Sequence, residues 1–282
     1  MIKKEKGVRG AIVFANAKIN IGLSVLGKRA DGFHNIETVM YPVNIFDVIE
    51  WHVSTKFSIE TYGLKIYSNG KGGENLIEKA YKLLTRQFDI PPLKICLLKN
   101  IPAGSGLGGG SADAVFFIKS INRAFGLKMD NTDMEKISLE TGSDCPFFVK
   151  NIPAFVSGRG EKITGLNHFL KGYRIIVVFP DIKTDTGDLY GKIQKYGTSL
   201  NYEKIAGTNP AGWSDFVFND FESILFEKYH RLGEIKDKLY KSGALYCSLT
   251  GSGSAVYGIF KEEPASWRNS FPGNYLTFKL KM

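Results

Sequence analysis

The sequence predicts an α+β fold, and three observations carry the prediction. Apolar residues alternate in some stretches, as in half-buried strands, and recur at helical spacing in others. The two kinds do not follow one another in a regular strand–helix–strand order, which argues against a doubly wound parallel sheet. At 282 residues with 43% hydrophobic and 23% charged side chains, the chain suits two closely packed globular domains.

The early part of the chain is rich in strands. "INIGLSVL" (19–26) alternates, as do "TVMYPVNIFDVIEWHV" (38–53), "FSIET" and "LKIYS", with turn residues between them. "ENLIEKAYKLLTRQF" (74–88) places Leu76, Ile77, Ala80, Leu83, Leu84 and Phe88 at helical intervals and predicts an amphipathic helix. "LKICLLKN" (93–100) predicts a strand, and a helix is expected from about Ser111 to Phe125, stopped by Gly126. "NTDMEKISLETG" predicts a shorter helix, and "GSDCPFF" is expected to lie between its end and an apolar strand. "IPAFVSG" and "YRIIVVFP" predict strands, and "TGDLYGKIQKY", "DFESILFEKYH" and "RLGEIKDKLYKSG" helices. "LYCSLTGSGSAVYGIF" (245–260) reads as strand, glycine turn, strand, and "NYLTFKLK" as a last strand. "GLNHFLKG" separates two self-sufficient sets of elements, which divides the chain into domains at 1–165 and 166–282.

The net charge of +9 favours anionic partners but does not choose among nucleic acid, anionic lipid and phosphorylated small molecules. A small basic cluster, Lys3, Lys4, Lys6 and Arg9, is equally a solubilising surface. Three scattered cysteines, Cys96, Cys145 and Cys247, imply neither a disulfide framework nor a metal site. A reducing, cytoplasmic setting follows. The apolar run "AIVFA" is too short for a secretory signal and Lys18 follows it at once; no stretch has membrane-spanning length.

"NIPAGSGLGGGSADAVF" (100–116) holds five glycines among seven residues, Gly104, Gly106, Gly108, Gly109 and Gly110, between a predicted strand and a predicted helix. The first amides of a helix lack internal partners and, with the macrodipole, form an anion site. Glycines let a phosphate approach the main chain. The loop therefore suits a nucleotide triphosphate, with Ser111 near the helix cap. It is not a Walker loop, since no Gly-Lys-Ser/Thr ends it. "GSGLGG" matches a dinucleotide pattern but lies outside a βαβ unit. Protein-kinase HRD and DFG sequences are absent. A flexible linker would lack the flanking apolar elements. Asp113 brings a negative charge near the proposed phosphates, and the sequence leaves its direction open.

The loop has company. "ANAKINIGLSVLGKRADGFHNIETV" (15–39), "PAGSGLGGGSADA" and "LTGSGSAVYGIF" (249–260) resemble, in order, the three motifs of the GHMP kinases, a superfamily of small-molecule kinases. "GSDCPFF" and "GRGEKIT" resemble most the branch whose acceptor is a cytidine diphosphate sugar-alcohol of non-mevalonate isoprenoid synthesis. The resemblance spans residues 15 to 260 and departs at Asn16, usually proline, and Cys145, often valine.

The resemblance implies a two-domain GHMP kinase fold, with a ribosomal protein S5 domain 2-like N-terminal domain and a ferredoxin-like C-terminal domain. It makes Lys18 and Asp144 the catalytic pair, with Asp144 as base and Lys18 offsetting charge on the moving phosphoryl group. Without it, Asp144 would read as a turn cap. ATP is the implied co-substrate and Mg²⁺ its metal, with Pro102, Leu107, the five glycines, Ser105 and Ser111 around the phosphates and Asn75 and Leu76 near the adenine. Phe33 and Tyr190 are the expected aromatic faces for the cytosine, His34 its edge reader, with Thr186 nearby. Asn20 shares a strand face with Lys18 and is expected to bind the acceptor. Gly251, Ser252 and Gly253 are expected to wall the acceptor site. Another small-molecule kinase of the superfamily, for homoserine or phosphomevalonate, is the alternative. A non-catalytic sensor conflicts with the presence of both Lys18 and Asp144, and a nucleic-acid-binding role lacks any recognisable motif. No nucleic-acid or membrane partner is expected, and the chain is expected to be a monomer or weak homodimer.

Overall fold

The structure, a computed structural model, describes residues 10–64, 75–184, 186–265 and 267–282. In chain order the elements are β1 (Gly10–Lys28), β2 (His34–Val53), β3 (Ser58–Gly63), α1 (Leu76–Thr85), β4 (Leu93–Lys99), α2 (Gly109–Phe125), α3 (Asn131–Thr141), α4 (Phe147–Lys150), β5 (Ala154–Gly158), β6 (Lys162–Gly165), β7 (Arg174–Phe179), α5 (Thr186–Gly191), α6 (Tyr202–Gly207), α7 (Phe221–Lys228), α8 (His230–Lys241), β8 (Tyr246–Leu249), β9 (Val256–Phe260) and β10 (Leu276–Lys281). The predicted α+β class is what the chain adopts. The predicted strand "LKIYS", apart from Leu64, and the basic N-terminal cluster lie outside the described residues.

Two compact units divide the chain, and they interleave. The first takes residues 46–103 and 108–151 together with the N-terminal residues as far as Ala17; the second takes 18–45, 104–107 and 152–282. The strands β1 and β2 and the glycine loop each contribute residues to both.

In the first unit, the end of β2 pairs antiparallel with β4, and β3 lies parallel to β4. Helices α1, α2 and α3 pack on one another. Asn75 starts α1 by accepting the Ile77 amide at 2.9 Å, and the helix buries Ile77, Ala80, Leu83 and Leu84. α2 begins on three glycines, a weak start by propensity. It is held by burial of Ala112, Ala114, Val115, Phe117, Ile118 and Ile121, and by Trp51, whose indole nitrogen donates to Ser120 at 2.9 Å.

In the second unit, the start of β2 pairs with β5, and β5 with β6. A four-stranded antiparallel sheet has the order β10-β7-β9-β8. Its central strands β7 and β9 are short and buried almost throughout, and α7 and α8 cover the sheet through Phe221, Leu225, Leu232, Ile235 and Leu239.

Four expectations need correction. β1 runs 19 residues, because "AIVFANAK" continues the strand that "INIGLSVL" was expected to begin. Asp144 is followed by the one-turn helix α4, not a strand, since Pro146 sets a helical φ and Phe147, Phe148 and Val149 are buried within a single turn. α2 opens at Gly109 rather than Ser111. The helix expected over "TGDLYGKIQKY" ends at Gly191, which removes the propensity to continue.

Candidate active site

Burial of β1 from Ala15 to Val25 places Lys18 where an ammonium needs partners, and it is 2% exposed. Lys18 Nζ donates to Asn20 Oδ1 at 2.5 Å and to the Gly106 carbonyl at 2.9 Å. Asn20 is also used at its other end: Nδ2 donates to Thr38 Oγ1 at 3.0 Å, and Thr38 in turn donates to the Gly22 carbonyl at 2.6 Å. So the amide expected to bind the acceptor is engaged in holding Lys18. Thr250 ties the three glycine-bearing stretches together. Its hydroxyl accepts the Asn20 main-chain amide at 3.0 Å and donates to the Gly106 carbonyl at 3.1 Å. Gly251, at φ +56°, comes so close that a Cβ there would stand 3.1 Å from Asn20 Oδ1 and 3.5 Å from Lys18 Nζ. Asn219 fixes this turn by donating to the carbonyls of Leu249 and Gly251 at 3.0 and 2.9 Å.

The first half of the glycine loop belongs to the same unit. Ala255 and Ser254 donate their amides to the carbonyls of Ser105 and Gly104 at 3.0 and 3.3 Å, and the Leu107 carbonyl accepts the Lys18 amide at 2.9 Å. Ser105 is buried, and its hydroxyl accepts the Leu107 amide at 3.3 Å. Pro102 and Leu107 are buried as well. The glycines differ in what they serve. Gly106 has φ +77° and a Cβ there would stand 1.9 Å from the Thr250 carbonyl oxygen, so its bareness serves internal packing. Gly104, at φ +69°, faces open space. Ser252 and Gly253 complete the third turn, with Gly253 packed on Leu225 and Leu249.

In the first unit, Gly108 caps α2 in the left-handed conformation and offers no side chain to its amides; the Ala112 amide makes the first internal bond, to Gly108, at 2.9 Å. The amides of Gly109, Gly110 and Ser111 therefore open the helix without internal acceptors. Gly109 is buried against Ile101, whereas Gly110 is exposed with only Leu76 close by. Leu76 also lies near Gly142, and Asn75 is occupied as the α1 cap. Asp144 sits half-buried in the turn between α3 and α4.

His34 and Tyr190, distant in sequence, come together. Their rings stack at 4.7 Å with planes 15° apart, and Phe221 meets Tyr190 edge-on at 5.1 Å. Phe33 is 46% exposed, with the Arg159 guanidinium 4.1 Å over its ring. One face of Tyr190 is thus stacked on His34, and one face of Phe33 lies under Arg159. Thr186 opens α5, and its side chain lies outside what is described.

Both departures from the family pattern have physical explanations. Asn16 exchanges two amide hydrogen bonds with Asn151, at 3.1 and 2.7 Å, which proline cannot do. Cys145 is fully buried; burial pushes its thiol up to about 12, against a smaller downward pull from the Ser111 hydroxyl, so it fills space as valine would. Asp113 turns inward rather than toward a ligand, onto Lys99 at 2.7 Å.

Sequence reading missed Thr38, Thr250, Asn219 and Arg159. Thr38, Thr250 and Arg159 all lie inside the family motifs, where only neighbouring residues carry expected roles. Thr38 lies within a predicted strand, and nothing near Asn219 in "FVFND" signals its clamp on a turn thirty residues away.

Residues 75–159 match the GHMP kinases N terminal domain and residues 206–267 the GHMP kinases C terminal domain. A 4-diphosphocytidyl-2-C-methyl-D-erythritol kinase from Bacteroides thetaiotaomicron is 40% identical over 275 residues, covering 96% of this chain and all of that one. One of the same name from Porphyromonas gingivalis is 43% identical, covering 90% and 93%. The crystal structure of a 4-(cytidine 5'-diphospho)-2C-methyl-D-erythritol kinase superposes with a TM-score of 0.76 at 25% identity, covering 96% of this chain and all of that one. A homoserine kinase from Cytophaga hutchinsonii shares the fold, at TM-score 0.67 and 17% identity. The chain belongs to the GHMP kinases, within the 4-diphosphocytidyl-2-C-methyl-D-erythritol kinase family.

Proposed function

We propose that the protein is an ATP-dependent kinase that phosphorylates the 2-hydroxyl of 4-diphosphocytidyl-2-C-methyl-D-erythritol, a step of non-mevalonate isoprenoid precursor synthesis. The observation that carries the chemistry is the Lys18 ammonium, buried and held by Asn20 and Gly106 beside the Thr250–Gly251 turn. The relatives' shared name supplies the acceptor. The acceptor oxygen attacks the γ-phosphorus, the bond to ADP breaks, and the hydroxyl proton passes to Asp144. Lys18 offsets the charge on the moving group. The amides from Gly104 to Ser111 hold the triphosphate between Pro102 and the start of α2, and Asn75 and Leu76 border the adenine.

Mg²⁺ is part of the same proposal. No group of three or more His, Cys, Asp or Glu side chains gathers among the described residues. The donors at the start of α2 are the Ser111 hydroxyl and the nucleotide's own phosphates, a set that suits a hard cation carried in by ATP. Bound there, the cation would neutralise charge on the phosphate oxygens.

For the acceptor, Phe33 and Tyr190 give the cytosine its faces, His34 reads its edge, and Thr186, Gly251, Ser252 and Gly253 border the rest. Asn20, beside the ammonium it holds, binds the acceptor. The two family matches fall on either side of residue 165, which supports domains at 1–165 and 166–282. The protein acts in the cytoplasm as a monomer or weak homodimer, with no nucleic-acid or membrane partner; no described helix is long and apolar enough to cross a membrane.

ADP release with ATP, Mg²⁺ and a panel of acceptors tests the reading. Turnover is expected with the cytidylyl acceptor and not with homoserine or phosphomevalonate; the reverse pattern assigns the chain to another kinase of the superfamily. In the same assay Phe33→Ala is expected to raise the acceptor KM about tenfold, the size of one base stack, and to leave the ATP KM unchanged. A change confined to the ATP KM would move the cytosine elsewhere.

A further inference from the structure

Beyond the end of the β2–β5 ladder, in the second unit, two turns stand side by side. The ladder closes on Ile36 of β2 opposite Gly158 of β5. The turn before β2 therefore brings Phe33, and the turn after β5 brings Arg159, to the same end of the sheet. Both are rooted through their main chains. The Phe33 amide donates to Asp31 Oδ1 at 3.2 Å, and its carbonyl accepts the Arg29 amide at 2.8 Å. The Arg159 amide donates to Glu161 Oε2 at 2.6 Å. Gly158, at φ +75°, leaves that carboxylate its place, since a Cβ there would stand 2.6 Å from each of its oxygens.

The charges at this corner do not cancel. Arg29 Nε donates to the two oxygens of Asp31 at 3.2 and 3.1 Å, and its Nη1 donates to Asn35 Oδ1 at 2.9 Å, so this cation and this anion engage each other. Glu161 gives Oε2 to a main-chain amide. The Arg159 guanidinium lies 4.1 Å over the Phe33 ring, and its Nε is buried with no hydrogen-bond acceptor among the described residues. A buried donor without an acceptor is costly, and more so when it is charged. Stacking on a ring uses the face of a guanidinium. Its N–H groups lie along the edge, in a fork that matches the oxygens of a phosphate.

We propose that Arg159 is a specificity-determining residue of the acceptor site and binds a phosphate of the acceptor's diphosphate. The inference rests on the assignment of Phe33 as a cytosine face and adds the group that recognises what the base carries. Arg159 takes one face of Phe33 and leaves the other for the base, so base and guanidinium share one aromatic anchor. The ring strips water from one side of the guanidinium, which strengthens its hold on an anion. The ring also fixes the fork before the ligand arrives, so less freedom is lost on binding. Cytidine without its phosphates gains nothing from the guanidinium.

The test is calorimetric titration of cytidine and of CDP, with ADP present throughout to fill the glycine loop, for the natural protein, Arg159→Gln and Arg159→Lys. Arg159→Gln is expected to weaken CDP about tenfold and cytidine less than about twofold. Arg159→Lys keeps the charge and loses the fork, so it should recover only part of the loss. A loss that falls equally on cytidine and CDP overturns the proposal, because the guanidinium then only braces the ring; no loss with either ligand overturns it as well. Failure of the natural protein to bind cytidine or CDP overturns the Phe33 assignment together with it. Thermal melts accompany the titrations. Should Arg159→Gln not fold, Arg159→Lys decides: CDP weakened several-fold with cytidine unchanged is the expected result, and a CDP affinity equal to the natural protein's overturns the proposal.

Discussion

Asp144→Asn is expected to fold as the natural protein does and to lose turnover by roughly 100- to 10,000-fold. The substitution keeps the shape of the side chain and removes its capacity to accept a proton. Asp144 sits half-buried in a turn between α3 and α4, not in an apolar core, so the swap creates no cavity. The affinity for ATP is expected to stay within a few-fold, because the base is needed only when the hydroxyl proton leaves. Initial rates with the cytidylyl acceptor, with a thermal melt beside them, check this. Natural turnover in the variant would remove Asp144 from the role of base; loss of both turnover and fold would return it to the plain turn cap that its sequence context also allows.

The second large effect separates the glycines of the loop. Gly106→Ala is expected to damage fold and turnover together. Its φ of +77° costs about 1–2 kcal/mol for any residue with a Cβ. That Cβ would also press within 1.9 Å of the Thr250 carbonyl oxygen, which is backbone and cannot swing aside. Since the Gly106 carbonyl accepts from Lys18, the displacement carries to the ammonium, and more than a tenfold loss of turnover should accompany a fall in Tm. Gly110→Ala should do the opposite to stability. Gly110 is helical and exposed, and its added methyl meets only Leu76 at an ordinary 3.6 Å. Relieving the weak helix start should stabilise by up to about 1 kcal/mol. The same methyl would sit where the phosphate approaches, so the ATP KM should rise. A stabilised Gly110→Ala enzyme with an unchanged ATP KM would show that no phosphate comes near residue 110.

Much of this was legible in the sequence because strands and helices here obey their apolar periods. The strand before the glycine loop, the helix after it and the hairpin at 245–260 all follow from local pattern. So do the residues inside the glycine motifs, because bare backbone in quantity has few uses. What was not legible was set by partners far away in the chain. Asn20 cannot announce that its amide spans Lys18 and Thr38, and Asp113 cannot announce a buried lysine fourteen residues before it. The stacking of His34 on Tyr190 joins residues that no local pattern connects. Even the glycines mislead in one respect: five in seven suggest a uniform cradle, yet a Cβ on Gly106 or Gly109 would meet the protein's own atoms, whereas one on Gly104 would meet nothing and one on Gly110 only Leu76.

The central claim is that the backbone amides of residues 104–111 hold the nucleotide's phosphates. Residue-resolved amide hydrogen exchange, with and without ADP and Mg²⁺, tests it most directly. Slowed exchange concentrated at Gly104, Gly108, Gly109, Gly110 and Ser111 is the predicted result. Protection elsewhere on a nucleotide-saturated protein, with these amides exchanging as before, would contradict it.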